Sequence, residues 1–120
     1  MNRTEFRKNF KTLGPVILPV IHVVDGGQAT RNIQIALNCG APGVFLINHD
    51  FEIDQFLPII RACRASFPSL WMGVNFLGVT GLNAFGVLGR LATEGTLVDA
   101  YWADDACINE HLTSQQDAKA

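Results

Sequence analysis

The stretch Gly43-Val44-Phe45-Leu46-Ile47-Asn48-His49-Asp50 constrains this chain more than any other. Val44 to Ile47 are all large and apolar, and the run then breaks abruptly into three polar side chains. A half-exposed strand alternates apolar and polar residues, whereas one apolar on both faces marks a parallel sheet with helices on either side. Residues 28–39 before the run and 51–66 after it both carry helical spacing, so the run is the middle of a βαβ arrangement. Its polar exit falls at the C-terminal end of the strand, where α/β folds place their ligands.

A chain of 120 residues, 48% hydrophobic and 17% charged, is enough for one domain with a real core. The net charge of -2 and the scatter of nine Lys and Arg argue against nucleic acid as a partner, because neutralising phosphates needs a clustered positive face. Cys39, Cys63 and Cys107 are odd in number and widely spaced, which predicts a reducing, cytoplasmic setting. No window reaches the roughly 18 to 20 apolar residues of a membrane span.

Taken in order, Phe6, Phe10 and Leu13 predict an amphipathic helix over 2–13, stopped by Gly14-Pro15. A β-branched strand over 16–24 follows, with Pro19 as a flaw that implies a missing partner or a bulge. The helix over 28–39 has Ala29, Ile33, Ala36 and Leu37 as its inner stripe. The next helix is capped by Asp50, carries Ile53, Phe56, Leu57, Ile60 and Cys63 inward, and turns Glu52, Arg61 and Arg64 outward; Pro58 predicts a kink. A strand over 70–76, a helix over 82–93 packing Phe85, Leu88 and Leu91 or Ala92, and a strand over 97–102 complete the pattern. Gly86 and Gly89 are expected to let that last helix approach a neighbour closely.

Four strands alternating with helices imply a parallel sheet with right-handed crossovers. A (β/α)8 barrel needs about 250 residues, twice this length. The alternatives are a flavodoxin-like open sheet, a half-barrel closed by a second copy or another chain, or an incomplete product of a longer gene. Apolar edge strands are a liability, which favours α/β architecture as half of a TIM barrel over 1–108, with a polar tail over 109–120. Residues such as Val44 or Phe45, Leu46 or Ile47, and Val74 would then meet water on the inner face. An isolated chain of this kind is expected to dimerise, aggregate or stay partly molten.

Met72-Gly73-Val74-Asn75-Phe76-Leu77 resembles the third-strand motif Gly-Val-Asn-hydrophobic-Leu of the BtpA family of TIM-barrel proteins. Val20-Ile21-His22 is similar to that family's first-strand hydrophobic-Ile-His, and 43–48 to its glycine-led second strand ending in Asn. The resemblance implies a ribulose-phosphate-like barrel with a site at its C-terminal face, in a group linked to photosystem I biogenesis in cyanobacteria. Two departures limit it: Asp25-Gly26-Gly27-Gln28 replaces the family's Pro- and Gly-rich segment, and the second half is missing. The usual barrel phosphate site follows strands seven and eight, so phosphate binding is not carried over.

The strand exits supply His22 or Asp25, then Asn48, His49 and Asp50, then Asn75, then Asp104 and Asp105. On parallel neighbours these collect on one rim, which suits acid-base chemistry or a hard cation such as Mg2+. Each has a plainer reading: His22 as a core histidine, Asp50 as a helix cap, and Asp104 and Asp105 as caps or a chance pair. Asn75 is an amide late in an apolar strand and must find partners if buried. A zinc site from His22, His49 and Cys39 is disfavoured, because Cys39 belongs at the opposite end of the sheet. The leading expectation is a protein binding a small polar or phosphorylated metabolite through His22, Asn48 and Asn75. His49 would act as acid or base, and Asp104 as metal or hydroxyl ligand. The competing expectation is a non-catalytic assembly or regulatory module that contacts another protein through the barrel face.

Overall fold

Alternating helical and strand periods appear in the structure as α1 (Arg3–Phe10), β1 (Val20–Val23), α2 (Gly26–Asn38), β2 (Gly43–Asn48), α3 (Ile53–Ser66), β3 (Trp71–Asn75), α4 (Gly81–Thr93) and β4 (Ala100–Tyr101). The structure is a computed structural model and describes residues 2–105. Cys107 and the expected tail over 109–120 lie outside the described residues. The four strands form one sheet, all parallel, in the order β1-β2-β3-β4. That order never reverses, so the sheet lacks the switch point of doubly wound folds. Successive right-handed crossovers in one direction put the crossover helices α2, α3 and α4 on the same side.

In-register partners on parallel strands point to the same face, so the pairing sorts the side chains into two sets. One set, Ile21, Val23, Val44, Leu46, Met72, Val74 and Phe76, is buried in a single cluster with Ala29 and Ile33 of α2, Phe56 and Ile60 of α3, and Ala84 and Leu91 of α4. The other, inner set is Val20 and His22, Phe45 and Ile47, Trp71, Gly73 and Asn75, and Ala100. Helices on either side of β2 were the expectation; they cover one face only. The unbroken apolar run of β2 has a different second cause. Phe45 lies over Gly73, with Trp71 and Trp102 edge-on to its ring at 5.5 and 6.3 Å. Phe10 of α1 packs its ring at a tilt against Trp71, centroids 5.2 Å apart, at the N-terminal end of this face. Ile47, expected to be wet, is 7% exposed.

Other expectations shift for local reasons. The first strand begins only after Pro19, whose carbonyl still accepts from the Phe45 N–H at 2.9 Å. The absent Pro19 N–H is tolerated because β1 is an outer strand. The first helix ends at Phe10, before Gly14-Pro15, with Lys11 as a left-handed cap at φ 50°. Asp50 does not cap α3; Glu52 is its N-cap, and Gln55 Oε1 accepts from the Glu52 N–H at 3.3 Å. On α4, Ala84 and Leu91 are buried while Phe85 is exposed. Gly86 and Gly89 face open space, and the close approaches fall on the strands instead. A Cβ on Gly43 would meet the Trp71 carbonyl, and one on Gly73 the Phe45 ring.

Arg64, expected to face outward, reaches under the sheet. It donates to the carbonyls of Leu70, Pro68 and Leu97 and pairs with Asp99 at 2.9 Å. Asp99 also accepts from the Met72 N–H at 2.8 Å, so one guanidinium holds the approach to β4 against β3.

Candidate functional site

The exit of β1 is pinned by Gln28. Its Nε2 donates to the His22 carbonyl and its Oε1 accepts from the Val24 N–H, both at 3.1 Å. Asp25 is committed to capping α2, accepting from the Gln28 N–H at 2.7 Å. With the strand fixed, the His22 ring stands on the inner face, exposed rather than in the core. His49, two residues beyond Ile47 and also exposed, stacks on it with ring centroids 5.1 Å apart.

Asn48 is placed otherwise. It is buried on the helix side; its Nδ2 donates to the Phe51 carbonyl at 2.8 Å and its Oδ1 accepts from the Leu77 N–H at 2.9 Å. The amide ties the exit loop of β2 to that of β3 and so sets where His49 sits. Asp50 lies exposed in the bend between them.

Asn75 is the sharpest feature. It ends β3 on the inner face, in register with Ile47, which is itself in register with His22. It is 1% exposed, and neither Nδ2 nor Oδ1 has a hydrogen-bond partner among the described residues. Leaving a buried amide unpaired costs about 1–3 kcal/mol. Sequence reasoning found the residue; only the structure shows that both of its polar atoms are uncommitted.

Asp104 and Asp105 follow β4, at the far edge. Three strand spacings of roughly 4.8 Å separate β4 from β1, about 14 Å in all, so a single sheet gathers His22 and His49 but not Asp104. The carbonyl of Asp105 accepts from the Gly81 N–H at 2.7 Å and closes the start of α4. Asp104 acts on Tyr101, whose phenol donates to the Val79 carbonyl. Burial, more than the Asp104 carboxylate, pushes that phenol above its ordinary range. Among the described residues no three His, Cys, Asp or Glu side chains are placed to hold a metal ion together.

Two hollows lie at the other end of the sheet, where loops lead into the strands. One, of about 470 Å3, is lined by Phe10, Pro15, Val16, Ile17, Ala36 and Cys39. A second, of about 810 Å3, includes Phe10, Arg64, Ser69, Trp71 and Asp99. In the second, Arg64 and Asp99 are already bound to each other and to backbone. These two hollows and the unmatched Asn75 amide therefore lie at opposite ends of the sheet. The chain matches no protein-family model, no curated protein and no solved structure. No helix among the described residues is long and apolar enough to cross a membrane.

Proposed function

We propose that the chain is half of a BtpA-like (β/α)8 barrel that binds a small polar or phosphorylated metabolite on the inner face at the C-terminal ends of its strands. The singly wound order and one-sided helices support the barrel reading. The site reading is carried by one observation, the buried Asn75 amide with both atoms unmatched. A donor and an acceptor on one planar group fit a ligand edge that offers both, and the imidazole pair on the same rim adds further hydrogen-bonding nitrogens. His22 and Asn75 are the ligand contacts in this reading, His49 the acid or base, and Asn48 the strut that orients the rim. Asp104 joins only when the sheet closes. A structural water would also satisfy Asn75, and the two readings part on ligand response.

The test is a titration with ribose 5-phosphate and with ribose, read by NMR at the Asn75 side-chain amide and the His22 and His49 ring protons. The reading expects those signals to move together, with affinity reduced about tenfold or more in Asn75→Ala, as one or two lost hydrogen bonds imply. Signals that respond to neither sugar, or His22 and His49 signals that respond equally in Asn75→Ala, remove Asn75 from a ligand site.

A further inference from the structure

The ring nitrogens of His22 and His49 stand uncommitted at the rim. His22 lies on β1 and His49 just past the neighbouring β2, both exposed on the inner face, with ring centroids 5.1 Å apart and planes 27° from parallel. Neither ring has a hydrogen-bond partner among the described residues. The backbone under each is nevertheless braced. Gln28 holds the His22 carbonyl and the Val24 N–H, while Asn48, next to His49, bonds the Phe51 carbonyl and the Leu77 N–H. Other side chains thus position the pair, and its own nitrogens are left to solvent or to a ligand.

We infer that the two imidazoles together bind a divalent transition ion of the Ni2+, Cu2+ and Zn2+ class. The inference rests on the proposed site for its place in function, and on the histidine pair alone for binding. Imidazole nitrogen suits these ions, whereas Mg2+ and Ca2+ take oxygen ligands. A Zn–N bond is about 2.0–2.1 Å, so one ion joins nitrogens up to about 4 Å apart. Two rings at 5.1 Å reach that by turning their nitrogen-bearing edges together, and their exposure leaves room to turn. No third His, Cys, Asp or Glu among the described residues completes the set, so the remaining positions go to water or to an oxygen of a bound metabolite.

Charge around the pair favours a cation. The loops leaving β1 and β2 and the first turn of α3 bring Asp25, Asp50, Glu52 and Asp54, all exposed, and contain no Lys or Arg. Arg31 reaches back along α2 to Gly27 and offsets one of these carboxylates. Such a rim by itself attracts cations and repels a phosphate. An ion held by the imidazoles reverses that locally, giving a phosphoryl or carboxylate oxygen a positive partner. The carboxylates steer the ion in, and the nitrogens hold it.

A Ni2+ titration of the untagged full chain, read by calorimetry and by paramagnetic broadening of the histidine ring protons, tests this. The His22 and His49 signals should broaden together and first. His22→Ala and His49→Ala should each weaken binding about tenfold or more with the far-UV circular dichroism retained, since both side chains are exposed. His111, outside the described residues, is the control: His111→Ala should bind as the parent does, and excess Mg2+ should not displace the ion. No broadening at millimolar Ni2+, broadening that begins at His111, single variants that bind like the parent, or displacement by Mg2+ overturns the inference. Ribose 5-phosphate that moves the Asn75 signals in a chain that binds no Ni2+ would overturn the metal site alone. Ni2+ bound as expected, with no response to either sugar in its presence or absence, would overturn the metabolite reading alone.

Discussion

The two faces of this sheet share the same strands and differ in what completes them. On the helix side, three helices bring Ile33, Phe56, Ile60 and Leu91 into one buried cluster with the strand residues, and the polar groups at its margin are paired. On the inner side, the cover is a chain of rings from Phe6 through Phe10, Trp71 and Phe45 to Trp102, followed by two exposed imidazoles and an unmatched amide. One face is a finished core. The other trades packing for uncommitted polar groups at the end where α/β folds bind ligands.

The largest effect should come from the finished face. Phe56 is fully buried, with Phe51 and Phe76 edge-on at 5.9 and 6.1 Å, so Phe56→Ala should cost about 3–5 kcal/mol in chemical denaturation. A loss under about 1 kcal/mol would erase the contrast between the faces. Next comes Gly73→Ala on the inner face. Its methyl must displace the Phe45 ring, which Trp71 and Trp102 flank, and overpacking of this kind costs about 1–3 kcal/mol. The inner-face reading adds that the near-UV dichroism of the tryptophans changes with it, and an unaltered spectrum would show that the rings are loose.

The smallest expected effect is alkaline. Burial raises the Cys63 thiol, and burial followed by the Asp104 carboxylate raises the Tyr101 phenol. A raised folded-state pKa favours the neutral form, so this stability is complete below the unfolded values of about 9 for Cys63 and 10 for Tyr101. It is lost as pH rises through the still higher folded values. Cys63→Ala should therefore flatten the fall in melting temperature above pH 9 relative to the parent, and an identical slope would contradict the assignment.

Much of this contrast was readable in the residues. Periods of about 3.6 found the inner stripes of α2 and α3, and four apolar runs found the four strands in order. The endpoints were not readable, because tertiary partners set them. Asn48 binds the Phe51 carbonyl, and α3 is capped at Glu52 rather than Asp50. An outer strand tolerates Pro19, so β1 starts late. Apolar flanks made His22 look like a core residue, yet its face had no helix to cover it. Asn48 and Asn75 read alike as amides ending strands; the pleat sends one to the helix side as a strut and leaves the other unmatched. Gly43 and Gly73 were missed as close approaches because the atoms they admit belong to neighbouring strands.

The central claim is that Asn75 is held at a cost to stability for the sake of a ligand. Asn75→Leu tests it most directly, since the two side chains share one branched skeleton of four heavy atoms and leucine leaves no polar atom to satisfy. Removing an unpaired buried amide should stabilise the chain by about 1 kcal/mol, raising the melting temperature by roughly 4–8 °C, while the response to ribose 5-phosphate disappears. A melting temperature that falls by a similar amount would mean that the amide is paired in solution and structural, and the account of the inner face would fail.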